Sequence, residues 1–171
     1  MSLAEQPREY PPALYAGEAG EVSAIARLAS QTPEIRRPNG SSVSYLATGA
    51  YTGAKFGLYR WDFAPEPSGP NPHFHRTMTE SFFILSGTVR LYNGEKWLDA
   101  VPGDFLHVPE GGIHAFRNES GKEASMLILF SPGAPREPYF ETLANQATQD
   151  RKMTPEERTQ FLLRHDNHFV P

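Results

Sequence analysis

His73-Phe74-His75 sets two imidazoles two residues apart. In an extended segment, residues i and i+2 point to the same face, so both rings can converge on one centre. Alone, such a pair reads as well as surface or hydrogen-bonded histidine. Glu80 follows five residues after His75, an odd offset that would put it on the opposite face of a straight strand. To join the histidines the chain must bulge or bend across Arg76-Thr77-Met78-Thr79. His114 arrives from a separate stretch: a strand, Phe105–Val108, then the turn Pro109-Glu110-Gly111-Gly112, then a second strand that His114 opens. The chain has no cysteine, which excludes disulfides, thiolate zinc sites, iron–sulfur clusters and Cys nucleophiles. A metal would have to rest on imidazole and carboxylate.

The elements that must position these groups are mostly strands. Val43–Leu46, Gly57–Phe63, Ser81–Leu85, Thr88–Tyr92, Glu95–Asp99, Phe105–Val108, Ala115–Arg117 and Ser125–Phe130 carry β-branched or aromatic residues between Gly and Pro punctuation. Turn signals recur every ~8–12 residues, as an all-β sandwich or barrel requires. Asn93-Gly94 is the strongest hairpin signal and predicts a type I′ turn. Val22–Ala29 suits either a helix turn or a strand. Beyond the strands, Phe140, Leu143 and Ala144 lie on one helical face within Tyr139–Ala147. Thr154-Pro155-Glu156-Glu157 is a helix start with a capping box. These two short helices are expected to cover the outside of the barrel or a neighbouring subunit. Three zones result: an N-terminal extension over 1–41 that packs on the barrel or a partner, a barrel over 42–131, and a C-terminal helical extension over 132–171.

The stretch Gly103–Asn118 resembles the second motif of the cupin superfamily, G-x5-P-x-G-x2-H-x3-N, at every fixed position: Gly103, Pro109, Gly111, His114 and Asn118. The first motif, G-x5-HxH-x3,4-E-x6-G, is met by His73, His75, Glu80 and Gly87, except that Pro67 replaces its leading Gly and a Gly stands at 69. The resemblance implies a double-stranded β-helix (jelly-roll) barrel with N-terminal extension strands. It also implies that His73, His75, Glu80 and His114 together hold one divalent metal. Three neutral imidazoles and one carboxylate suit iron, manganese, nickel, copper or zinc better than calcium or magnesium. Four protein ligands leave one or two positions open, as a catalytic metal needs.

If Glu80 faces inward, strand parity turns Phe82 and Ile84 inward too, with Phe83 and Leu85 outward under a second layer; Phe116 shares a face with His114. With Trp61, these are the candidate substrate-pocket residues. His107 is a further one: pointing inward, it could bond a substrate or act as acid or base near neutral pH. Arg60, Arg90 and Arg117 sit on strands where one could meet an acidic substrate. His165 and His168 in the polar tail read as solvated charge. The resemblance extends to small cupins likened to quercetin dioxygenase, which implies an oxygenase acting on a small aromatic or enolic substrate, with Glu80 accepting the substrate's hydroxyl proton. A redox-neutral cyclase, isomerase or lyase, or a binding cupin without turnover, stands beside that reading, since a fold does not name a reaction.

Composition closes other routes. Sixteen basic against twenty acidic residues, a formal charge of −4, give no basic surface for nucleic acid or anionic lipid. No run of eighteen apolar residues spans a membrane, and the N-terminus does not read as a secretory signal, so a cytoplasmic protein is expected. An apolar, Pro-rich first forty residues and unmatched sheet edges, with the family's habit of pairing barrels, imply a homodimer.

Overall fold

The computed structural model describes residues 9–149 and 152–170. Two antiparallel sheets face each other. The larger runs β1 (Ile35–Arg36), β2 (Ser42–Ala47), β3 (Gly57–Phe63), β10 (Ala124–Ser131), β5 (Thr79–Ser86) and β8 (Phe105–Val108), in that spatial order. The smaller sets β7 (Trp97–Ala100) beside β6 (Val89–Tyr92) beside β9 (Ala115–Arg117). Antiparallel bridges His73↔His114 and Ser68↔Asn118 join the β9 segment to β4 (His73–Phe74), and β4 in turn pairs with β11 (His168–Phe169). The result is the expected jelly-roll, with alternate residues of the long strands buried: β3 hides Tyr59, Trp61 and Phe63. Rings from the two sheets meet in the middle, Trp61, Phe63 and Phe82 each within 6.1 Å of Phe116.

Three short elements frame the barrel. A single helical turn, α1 (Gly49–Thr52), links β2 to β3. Helix α2 (Glu137–Thr148) packs Phe140 against Tyr59 at 5.2 Å and Trp61 at 5.5 Å. Since both are inward-facing strand residues, α2 closes an end of the barrel rather than coating its outside. Helix α3 (Pro155–Arg164) starts with the predicted capping box, the Thr154 side chain accepting from the Glu157 N–H and the Glu157 carboxylate from the Thr154 N–H. Its Phe161 stacks on Tyr139 of α2 at 5.5 Å.

Several expectations change. Val22–Ala29 is neither helix nor strand, and the described N-terminal residues contribute only β1 as a strand before β2. Tyr10, Leu14, Val22 and Ile25 are exposed rather than packed on the barrel. The Asn93-Gly94 turn is shifted by one residue. Asn93 pairs with Lys96, the Asn93 Oδ1 accepts the N–H groups of Glu95 and Lys96, and positive φ (+90°) is needed at Gly94 alone. A type I′ turn needs positive φ at two positions, so this is a different turn. The greatest change is at the tail, where His168 and Phe169 form a strand against the metal-motif segment. No helix among the described residues is long and apolar enough to cross a membrane.

Candidate metal centre

Strand β4 delivers His73 and, one residue past its end, His75; the chain then bends and enters β5, where Glu80 turns inward. The bend over Arg76–Met78 carries the chain from one sheet to the other, which is how an odd offset still brings Glu80 to the histidines. It is held by the tail. The Asp166 carboxylate accepts the N–H groups of Arg76 and Thr77 and the Thr77 hydroxyl, at 2.7–3.0 Å. His114 sits at the head of β9, across a backbone bridge from His73.

All four side chains are buried, and one potential ligand atom from each lies within 4.8 Å of the others. Each imidazole is oriented by its outer nitrogen. The Nδ1 of His73 faces the Asn71 carbonyl at 2.9 Å, that of His75 the Asp166 carbonyl at 2.6 Å, and that of His114 the Gly112 carbonyl at 2.9 Å. A carbonyl oxygen only accepts, so Nδ1 carries the hydrogen in all three rings and Nε2 is left with its lone pair. Yet the Nε2 atoms of His75 and His114 lie 2.9 and 2.7 Å from the same Glu80 Oε2. Lone pair against carboxylate is repulsive unless a positive charge stands between them. A divalent cation supplies that charge, so the donor set fits a metal.

The electrostatics agree. Burial, reinforced by the charge of His114, pushes His73 down to about 3, so it is neutral. Burial alone would also lower His114, but the adjacent Glu80 carboxylate outweighs it and raises it. For Glu80, burial opposes ionisation, but the adjacent His114 and His75 rings outweigh it and hold the carboxyl well below its usual range.

A cavity of about 270 Å³ opens on the His73–Glu80 side. Trp61 and Phe116 are in its wall, as expected, with Phe63, Phe130 and Phe140. Phe82 and Ile84 do face inward and are fully buried, but they stand outside that wall; Phe82 packs 5.9 Å from the His114 ring, beneath the centre. Phe83 and Leu85 point outward and stay exposed. His107 is a correction. Val108 is the buried residue of β8, so His107 takes the opposite parity and lies exposed on the outer face, its Nδ1 2.9 Å from the Ser81 hydroxyl. It is no part of the pocket. The strand arginines are not among the lining residues: Arg60 pairs with Asp62, Arg90 with Asp99 and Glu119, and Arg117 with Glu119 and the Asn71 side chain.

Other residues close the site, and the motifs point to none of them. Arg37, Arg136, Tyr139, Asn167 and Phe169 line the same cavity. Phe169 stacks on His73 at 5.2 Å and His168 on Phe74 at 5.0 Å, so the tail histidine is a packed ring rather than solvated charge. His165 likewise packs on Phe161 and Tyr139. The one sequence cue was the pair of apolar residues, Phe169 and Val170, closing an otherwise polar tail.

A family model described as a cupin domain matches residues 59–130, from β3 through β10, the stretch that carries all four candidate ligands. Residues 59–130 are a cupin domain. The chain is similar to a Bacillus subtilis quercetin 2,3-dioxygenase, 36% identical over 73 residues, or 43% of this chain and 21% of that one. It is also similar to a Triticum aestivum oxalate oxidase, GF-3.8, 29% identical over 129 residues, or 69% of this chain and 57% of that one. The cupin chain thus spans about a fifth of the first relative and just over half of the second. Among solved structures, one described as a predicted oxalate decarboxylase from Thermotoga maritima superposes with a TM-score of 0.55 at 21% identity. It covers 64% of this chain and 99% of that one. That likeness is one of fold.

Proposed function

We propose that this cupin is a metal-dependent oxygenase acting on a small aromatic or enolic substrate at a centre of His73, His75, Glu80 and His114. The observation that carries the reading is the convergence of three Nε2 lone pairs and one carboxylate beside an aromatic-walled cavity. Similarity to proteins named as a dioxygenase and an oxidase supports it. A bound iron, manganese, nickel, copper or zinc ion would supply Lewis acidity, and the redox-active members a route to dioxygen chemistry. The chain's own part is positioning and proton transfer. Trp61 and Phe116 give the cavity an apolar aromatic wall that excludes water. Glu80 is the only carboxylate among the described residues of the cavity wall, and it is the proposed acceptor for a substrate hydroxyl proton. At about 270 Å³ the cavity lies at the low end of the ~300–1,000 Å³ usual for ligand pockets, so a single ring is the size it suits. Pairing of two copies belongs to the same proposal and is read by light scattering.

Oxygen uptake by the iron-loaded protein with hydroxylated single-ring substrates tests the reading. Glu80→Gln should keep most of the metal while lowering uptake by about 10²–10⁴-fold, the range a general base contributes. Turnover that continues under strict anaerobiosis would transfer the assignment to a redox-neutral cyclase, isomerase or lyase.

A further inference from the structure

The wall of the same cavity holds three guanidinium groups, those of Arg37, Arg136 and the solvent-exposed Arg158, and the first two lie buried without an acid. Arg136, the residue before α2, is 3% exposed. Its charge lies over the rings of Tyr139 at 4.3 Å, Phe130 at 5.0 Å and Phe140 at 5.6 Å. It gives one hydrogen bond to the His165 carbonyl at 2.7 Å and a longer one to the Asn167 side chain at 3.3 Å. Both acceptors are neutral, and Nε is buried with no partner. Arg37, just past β1, sits 5.0 Å over Trp61; its side chain makes no hydrogen bond or ion pair among the described residues, and its Nε too is buried and unpartnered. Burial lowers the pKa of both groups, a direct sign that their charge is poorly compensated.

A guanidinium keeps its charge at any working pH, so the cavity cannot relieve this by losing a proton. Glu80 is the one carboxylate in the wall, and it is committed to the metal site. With a divalent cation in place, the two positive charges of the ion and the guanidinium groups of Arg37, Arg136 and Arg158 would stand against the single negative charge of Glu80. Buried charges are normally paired, and an unpaired one is costly. No described residue of the wall besides Glu80 supplies an acid, so it must arrive with the ligand.

We infer that Arg37 and Arg136 form an anion-binding subsite, and that the substrate is a small aromatic or enolic acid whose carboxylate occupies it while its ring lies against the aromatic wall of the cavity. The planar carboxylate matches both the fork of a guanidinium and the flat aromatic walls. The inference rests on the reading that the His73–Glu80 end is the reacting end.

Calorimetry with benzoate and benzamide, probes of nearly equal shape that differ in charge, tests it. The protein is used zinc-loaded, so that no oxygen chemistry intervenes, and again after chelation. A charge-assisted hydrogen bond corresponds to about 10–100-fold in affinity, so benzoate should bind tighter than benzamide by that factor in both forms. Arg37→Gln, which breaks no protein hydrogen bond, should erase most of the preference while leaving benzamide affinity unchanged. Arg136→Lys, which keeps the charge but loses the fork, should reduce it in part. Equal affinity for the two probes would overturn the inference. So would a preference that vanishes on chelation and survives both substitutions, because the carboxylate would then sit on the metal. If benzoate selectivity holds and no hydroxylated benzoate drives oxygen uptake, the oxygenase reading falls and the subsite stands.

Discussion

Asp166→Asn should loosen the metal centre from a position outside all four ligands. Asp166 occupies the left-handed region, φ +55°, which Asn tolerates about as well, so the backbone should keep its shape and only the carboxylate change. That carboxylate accepts two backbone N–H groups and the Thr77 hydroxyl, while the residue's own carbonyl accepts the Nδ1–H of His75. Hydrogen bonds to a charged acceptor contribute ~1.5–3 kcal/mol each. The side chain is 18% exposed, so water replaces part of what is lost, and a net destabilisation of about 2–3 kcal/mol is expected. Substitutions behind metal ligands typically cost about 10–100-fold in affinity or activity, and the bend from His75 to Glu80 is the part that would relax. Competition against a chelator of known affinity reads the metal term, and urea melts of the metal-free protein read the stability term. The reasoning is refuted if Asp166→Asn and Asp166→Ala both bind metal as tightly as the parent chain.

Gly69→Ala should destabilise by about 1–3 kcal/mol, because φ there is +148° and an added Cβ would collide with the Phe116 carbonyl oxygen and lie 2.9 Å from the Arg117 Cα. A thermal melt unchanged within a degree would count against it; the same variant should also weaken ligand binding, since Gly69 lines the cavity. Glu34 gives an acid-limb prediction. Burial would raise its pKa, but the Tyr45 N–H and Arg27 outweigh this and lower it. A depressed folded-state pKa means its stabilisation is present above the unfolded value, ~4.3, and is lost as pH falls through the lower folded one. Glu34→Gln should therefore be less stable than the parent at pH 7 and lose less on acidification below pH 4, checked by denaturant midpoints across that range.

Strands and metal motif were legible for different reasons. Gly57–Phe63 alternates buried and less buried residues along its whole length, so period and parity could be counted directly. His73, His75, Glu80 and His114 were legible because motif spacing records a three-dimensional bend that strand parity by itself forbids. Where reasoning failed, it lacked a period to count. β11 is two residues long, too short to alternate, and its strand character comes from Phe169 and His168 stacking on His73 and Phe74. Asn93 misled because its side chain caps the turn instead of entering it. Arg136 could not be found at all: nothing local distinguishes an arginine before a Pro-containing helix start from one in solvent. Only the tertiary placement of α2 over Tyr59 and Trp61 buries it.

The tail explains why a metal motif shared across a superfamily can sit beside a chain-specific cavity. Residues 165–168 touch both ends of the site. The carbonyl of Asp166 fixes His75 and its carboxylate fixes the bend before Glu80, whereas the carbonyl of His165 and the side chain of Asn167 hold Arg136. A shift of this turn therefore moves a proposed ligand and a proposed substrate anchor together. Stiffness at this point is what a reacting centre and a charge anchor that hold one small molecule require, because their separation must match the ligand to within a fraction of an ångström. Asp166→Asn should accordingly lower benzoate affinity while leaving both arginines in place. If it weakens metal binding and leaves benzoate untouched, the two ends are built independently and the coupling through the turn is wrong.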